Sequence, residues 1–279
     1  MLSKILKYEM KAVFKPMLIL NALTLLSTLI GFFYVANLDV EGILHSNNNE
    51  SAGMMLILGF LYIVGLAIVS LVSYLVLLIR YGKTMFGSNG YLSWTLPVKR
   101  STLINGKILN GLIWNLINTT ITMGCFCWLL CFYVAKAGVK FHDLIVGIPT
   151  EITWHFILPT MGMVVLSVIS AVFVGYFCIT VGQLLKEHKV LGTIIAFVGV
   201  YIVQQVATTL VMVGGGFFTY MNGDSEVYFR ASATSVGIGA GDFRIVDIMM
   251  AGQALVTIVI ALIAFTACHM IPRKKLNLD

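Results

Sequence analysis

Polar and apolar positions along this chain separate into long blocks. Six stretches hold no Lys, Arg, Asp or Glu: Pro16–Leu38, Ser51–Ile79, Ile108–Ala135, Ile152–Leu185, Val190–Gly223 and Ile248–Ile271. About 20 apolar residues cross the ~30 Å hydrocarbon core as a helix. Lipid offers the backbone no hydrogen-bond partner, so a spanning segment must satisfy its own N–H and C=O groups. The pattern predicts an all-α integral membrane protein with six transmembrane helices. The 279 residues are nearly used up by six helices and their connections, so a single transmembrane domain, 1–279, is expected. The first apolar run is too long for a cleavable signal peptide, and no small-residue cleavage site follows it.

Composition agrees: 59% of residues are hydrophobic and 11% charged, with mean hydropathy +0.95. The charges set the orientation. Of the 18 basic residues, fourteen lie in four segments: Lys4, Lys7, Lys11 and Lys15; Arg80, Lys83, Lys99, Arg100 and Lys107; Lys186 and Lys189; Arg273, Lys274 and Lys275. The positive-inside rule then puts both termini in the cytoplasm. On this reading the formal charge of +6 reflects topology and attraction to anionic membrane lipid. No nucleic-acid partner is expected, because no basic patch lies outside these flanks.

Residues 1–15 read as an amphipathic interfacial helix. At about 100° per residue, Leu2, Ile5, Leu6, Met10, Val13 and Phe14 fall on one half and the four lysines on the other. Glu9 sits inside the apolar half, where a carboxylate needs a partner. It either reaches water or a neighbouring cation, or ties this helix to the cytoplasmic loop.

The cytoplasmic segment 80–107 is the most patterned connection. Gly82, Gly87 and Gly90 supply turns. Leu96-Pro97 stops a helix, and Ser101 caps the next, with Ile104, Ile108 and Leu112 at helical spacing. Tyr91, Leu92, Trp94 and Leu96 leave an aromatic, apolar surface in a water-facing loop. Such a surface expects a partner, or else the loop folds back on the bilayer. Gly82-Lys83-Thr84 is not a phosphate loop, because position 77 is Leu77 where the motif needs a glycine. Gly237, Gly239 and Gly241 lack the third spacing of a dinucleotide fingerprint. No nucleotide, cofactor or catalytic site is expected in this chain.

The first outer loop is a short polar linker. The outer loop 214–247 opens on Gly214-Gly215-Gly216, expected to end the fifth span. It then carries the aromatic residues Phe217, Phe218, Tyr220, Tyr228 and Phe229. Short outer helices, a re-entrant pair and an ordinary surface loop are all open.

No acid or base lies at mid-depth in a span, which argues against an ion-coupled transporter built from this chain alone. The polar groups there are uncharged. Tyr201, Gln204, Gln205, Thr208 and Met212 share a face of the fifth span, and Asn115, Asn118 and Thr122 a face of the third. They either hydrogen-bond between helices or line a translocation path or subunit interface. Ala171/Gly175 and Gly192/Ala196 suit close helix approach, and Pro159 is expected to kink the start of the fourth span. The five cysteines read as small packing residues and not as metal ligands.

The run Gly90-Tyr91-Leu92-Ser93-Trp94-Thr95-Leu96-Pro97-Val98, followed by Lys99-Arg100, Leu103-Ile104 and Lys107, resembles the GYL-x-[FW]-TLP-V segment of ATP-binding-cassette (ABC) exporter permeases of the type-2 class. Such permeases occur in the cytoplasmic membrane of Gram-positive bacteria. The opening Lys4-Ile5-Leu6-Lys7-Tyr8-Glu9-Met10-Lys11 is similar to their amphipathic first helix. The resemblance implies a dimer with a second permease subunit, seated on cytoplasmic ATPase subunits that bring ATP and Mg. It places ATPase coupling on Gly90, Tyr91, Leu92, Trp94, Thr95, Leu96 and Pro97, flanked by Lys99 and Arg100. A second contact falls at Lys186 and Glu187. It also makes Tyr201, Gln204, Gln205, Thr208, Asn115 and Asn118 candidates for the path of an amphipathic substrate: a peptide, antimicrobial peptides included, a lipid or a drug-like molecule. A non-transporting membrane anchor or sensor that binds a cytoplasmic partner is the other reading.

The charge bias is directly testable. With the native cysteines replaced, single cysteines at Asn48 and Ser225 should react with an impermeant maleimide in intact cells. Cysteines at Ser88 and Leu276 should react only after permeabilisation, and labelling of Ser88 from outside would overturn the orientation.

Overall fold

The computed structural model describes residues 2–37, 49–87, 100–136, 157–185, 188–221 and 242–275. All described secondary structure is helical: α1 Leu2–Asn37, α2 Asn49–Phe86, α3 Arg100–Lys136, α4 Leu158–Gly182, α5 Lys189–Met221 and α6 Asp242–Lys275. Each of the six is long and apolar enough to cross a membrane, and the chain is a multi-pass membrane protein on that ground. Helix contacts gather α1–α3 into one unit, 1–148, and α4–α6 into another, 149–279.

Several helix ends differ from those expected. Residues 2–15 are not a separate helix: α1 runs unbroken through Pro16 for 36 residues, about 54 Å at the α-helical rise. Part of the apolar half of that opening segment packs on neighbouring helices, while Leu2 and Phe14 stay exposed. Val13 is wholly buried, and Ile5 lies against Gly106 of α3. α2 continues past Arg80 and Gly82 to Phe86 and stops at Gly87. A Cβ on Gly87 would sit 2.7 Å from the Lys83 carbonyl oxygen, so glycine is needed where the chain leaves the helix. α3 begins at Arg100, one residue before the expected cap. Pro159 lies in the first turn of α4, where proline opens a helix and does not kink it. Gly214–Gly216 lie inside α5, which ends at Met221. Glycine costs a helix about 1 kcal/mol per residue but does not forbid it.

In the first unit α1 and α3 run parallel, with α2 antiparallel to both. Phe14 meets Trp114, ring centroids 6.0 Å apart, and Phe32 stacks on Trp128 at 5.5 Å and meets Phe132 at 4.4 Å. Lys136 Nζ donates to the Ala36 carbonyl. A buried stripe on α1, Val13, Met17, Asn21, Thr24, Thr28 and Val35, faces its neighbours. Val13 and Met17 form a small core with Leu77 and Trp114.

In the second unit α4 is the central helix, burying Val168, Val172, Tyr176, Cys178 and Ile179. Phe173 packs on Phe265 of α6 at 5.3 Å. The α4–α5 connection is tight. A Cβ on Gly182 would fall 2.7 Å from the Thr193 amide nitrogen, and one on Gly192 3.0 Å from the Gly182 carbonyl oxygen. Gly192 therefore serves the close approach its sequence context suggests. Cys125, Cys178 and Cys268 are buried, whereas Cys127 and Cys131 are exposed, so the packing reading holds for three of the five.

Because the Gly182 contact is with backbone, it cannot yield by a side-chain rotation. Gly182→Ala should cost about 1–3 kcal/mol, read as a lowered melting temperature in detergent. Gly199→Ala, with nothing within 4 Å of the added carbon, should not lower the melting temperature and gains up to about 1 kcal/mol from the better helix former.

Candidate functional site

The densest chemistry among the described residues lies at the end of the first unit that carries the N-terminus. Glu9 projects from the packed face of α1. Its Oε1 accepts from Lys107 Nζ of α3 at 2.6 Å, and its Oε2 from Arg80 Nε of α2 at 3.4 Å. Lys107 Nζ also donates to Thr84 Oγ1 at 2.8 Å, and Thr84 in turn donates to the Arg80 carbonyl at 2.9 Å. Exposure of the side chains is 5% for Lys107, 17% for Glu9 and 32% for Arg80. One carboxylate thus holds a buried ammonium and a half-open guanidinium, joining three helices.

Local sequence explains the placement. Glu9, Val13 and Met17 follow helical spacing, so packing Val13 and Met17 into the core carries Glu9 to the same side. A carboxylate there is costly without a charged partner. Arg80 and Lys107 each lie about two turns inside the helix ends, Phe86 and Arg100, that the loop between α2 and α3 joins. Glu9 pairs with neighbouring cations, as its first reading expects, and because those cations lie on α2 and α3 the same pairs tie α1 to the helices that flank this loop. From sequence, Arg80 and Lys107 count among the basic residues that set the orientation, and Lys107 closes the run that carries the family resemblance. The signal for their role was present: residues 51–142 contain no acid and Glu9 is the sole acid before Asp39. A carboxylate on this face could find only cations.

Above the charges, a polar seam continues between the same three helices. Thr24 is wholly buried and Thr28 nearly so; each hydroxyl donates to a carbonyl of its own helix, Asn21 O at 2.7 Å and Thr24 O at 2.8 Å. Thr28 Oγ1 also meets Tyr62 Oη at 3.0 Å, and Ser70 Oγ meets Thr122 Oγ1 at 3.4 Å. The side-chain oxygens of Asn21, Asn110 and Asn118 and the indole nitrogen of Trp114 are buried and meet no hydrogen-bond partner. Asn110 was missed by the sequence reading, although Asn110, Trp114 and Asn118 repeat every fourth residue. Asn115 and Asn118 are both buried within this helix packing.

The other expected positions lie apart. Gly90, Tyr91, Leu92, Trp94, Thr95, Leu96, Pro97 and Lys99 fall outside the described residues, as do Lys186 and Glu187. Arg100 is the first residue of α3. On α5 Tyr201 is 66% exposed, Gln205 is exposed, and Gln204 and Thr208 are half-buried. Thr208 Oγ1 donates to the Gln204 carbonyl at 2.7 Å, so its hydroxyl is satisfied within the helix. Tyr201 and Gln205 present polar groups on an otherwise apolar surface. The fifth-loop residues 222–241 also lie outside the described residues. Comparison with protein-family models, curated proteins and solved structures finds no match to this chain.

If Glu9 neutralises a buried ammonium, removing the acid alone should be worse than removing both charges. Glu9→Gln should destabilise by about 3 kcal/mol, the low end for breaking a buried pair. The double variant Glu9→Gln, Lys107→Met should melt closer to the parent. Thermal unfolding of the two variants and the parent in one detergent decides it.

Proposed function

We propose that this chain is the membrane-spanning permease subunit of an ABC exporter. It would move an amphipathic substrate across the cytoplasmic membrane with energy from ATP hydrolysed by a partner subunit. The observation that carries the reading is the Gly90–Val98 run: aromatic and apolar residues placed between the helix roots Arg80 and Lys107. A segment that receives mechanical work from a soluble ATPase needs a sticky surface and a stiff mount. The aromatic run supplies the first. The Glu9 clamp on Arg80 and Lys107 supports the second, because displacing either root strains an ion pair to α1.

The fold is consistent with this division of labour. ATP binding by the partner would bias an inward-to-outward equilibrium. A membrane subunit with no nucleotide motif of its own then serves as the moving part. The uncharged face Tyr201, Gln204, Gln205 and Thr208 on α5 suits an amphipathic cargo better than a small ion, since it offers hydrogen bonds without fixed charge. An ATPase-bound pair of such subunits would cover that face, which lipid would otherwise meet at a cost.

Tyr91→Asp tests the coupling role. A central aromatic anchor is typically worth about 2 kcal/mol or more, a loss of roughly 30-fold in affinity. The variant should reach the membrane at parental level but retain little ATPase on affinity purification. Parental ATPase recovery with Tyr91→Asp would remove the reading's main support.

A further inference from the structure

The Glu9 cluster is not neutral. One carboxylate faces two cations, leaving one positive charge unmatched. The other acids of the first unit, Asp39, Glu41, Glu50 and Asp143, stand in the chain beside the ends of α1, α2 and α3 far from Glu9, Arg80 and Lys107, and among its described residues none but Glu9 pairs with these cations. Lys107 is sealed in, bonded to Glu9 and Thr84. The surplus charge therefore surfaces at Arg80. Its Nε is committed to Glu9 at 3.4 Å. That contact orients the guanidinium but uses only one of its five N–H donors. The side chain is 32% exposed.

The helix surface beside Arg80 has a definite form. Ile68, Val72, Leu75 and Ile79 are all exposed. At about 100° per residue they fall within a strip roughly 60° wide on α2. Continued toward the helix end, the strip meets Lys83, which is exposed and lies within about 20° of its edge; Arg80 stands a further ~60° round, one turn nearer the membrane interior. Together they form an apolar lane about three turns long, capped by a point cation and a guanidinium fork. The fork geometry matches the oxygens of a phosphate, and the lane matches an acyl chain.

We propose that Arg80 and Lys83 form a binding site for the phosphate of an anionic phospholipid, whose chain lies along Ile68, Val72, Leu75 and Ile79. The lipid phosphate supplies the negative charge that the Glu9 cluster lacks. This differs from general attraction of the basic flanks to anionic membrane, because it depends on which cations are present and not only on how many. It stands independently of the exporter reading.

The test uses the full chain, purified and delipidated in a neutral detergent. Phosphatidylglycerol should raise the melting temperature by about 5 °C, and phosphatidylcholine of the same acyl composition should not. Lys83→Gln, which leaves the Glu9 clamp intact, should remove at least half of that rise. Arg80→Lys, which keeps the charge and a donor for Glu9 but loses the fork, should do likewise. Lys7→Gln with Lys11→Gln removes two charges from the exposed side of α1 and should leave the rise intact. Equal stabilisation by phosphatidylcholine overturns the proposal, as does an equal loss in the Lys7, Lys11 variant, which would mark nonspecific attraction. Inorganic phosphate alone reproducing the full rise would also overturn it, by showing a free-anion site. Should Arg80→Lys prove too unstable to melt cooperatively, Lys83→Gln and the Lys7, Lys11 variant decide the matter between them.

Discussion

A carboxylate on the packed face of a membrane helix must be answered by cations, and the first half of this molecule is arranged around that answer. Glu9 accepts from Lys107 and Arg80, and the two bonds bring the ends of α2 and α3 against the opening turns of α1. Coulombic attraction across a few ångströms is strong where water is scarce, but only when the partners hold their geometry. The helices on either side supply that rigidity: Val13 and Met17 pack on Leu77 and Trp114 directly beyond the charges.

The rest of the interior follows from the absence of a hydrogen-bonding solvent. Hydroxyls inside the helices mostly bond back to their own chain three or four residues earlier, as Thr24, Thr28, Ser73, Thr180 and Thr257 do. Bonds of this kind stay within one helix and leave much of the tertiary contact to shape. Shape then falls to small residues at the tightest points, Gly106 under Ile5 and Gly182 against Thr193. Polar pairs that cross between helices, Thr28 with Tyr62 and Ser70 with Thr122 among them, align α1, α2 and α3. The buried carboxamides of Asn21 and Asn118 and the Trp114 indole depart from this economy. They lie on the α1 and α3 faces that also carry Glu9 and Lys107, so unmet polarity gathers in the unit that bears the proposed coupling segment.

The exporter reading and the lipid site make different use of one feature. For the exporter, the Glu9 clamp is a mount that lets force at the α2–α3 loop reach α1. For the lipid, the clamp orients Arg80 and leaves its outer donors open. Both follow from a single acid set among cations, and neither needs a charge at mid-depth in the membrane.

From sequence alone, six charge-free blocks determined that the chain crosses a membrane six times, because hydrocarbon tolerates only self-satisfied helices. Residue identity also placed the apolar run Tyr91–Leu96 between charged roots and marked Glu9 as out of place among apolar neighbours. Helix ends were less legible. Pro16 is compatible with a break and does not make one; Gly82, expected at a turn, and Gly214–Gly216, expected to end the fifth span, lie within helices. Local propensity is worth only about 1 kcal/mol per glycine, and a neighbouring helix readily outweighs it. Which cations met Glu9, that the α3 face carrying Asn110, Trp114 and Asn118 is buried, and that Gly182 meets Gly192 were decided by tertiary structure alone. Each depends on which helices pack together, and periodicity along the sequence carries no information about which faces will meet.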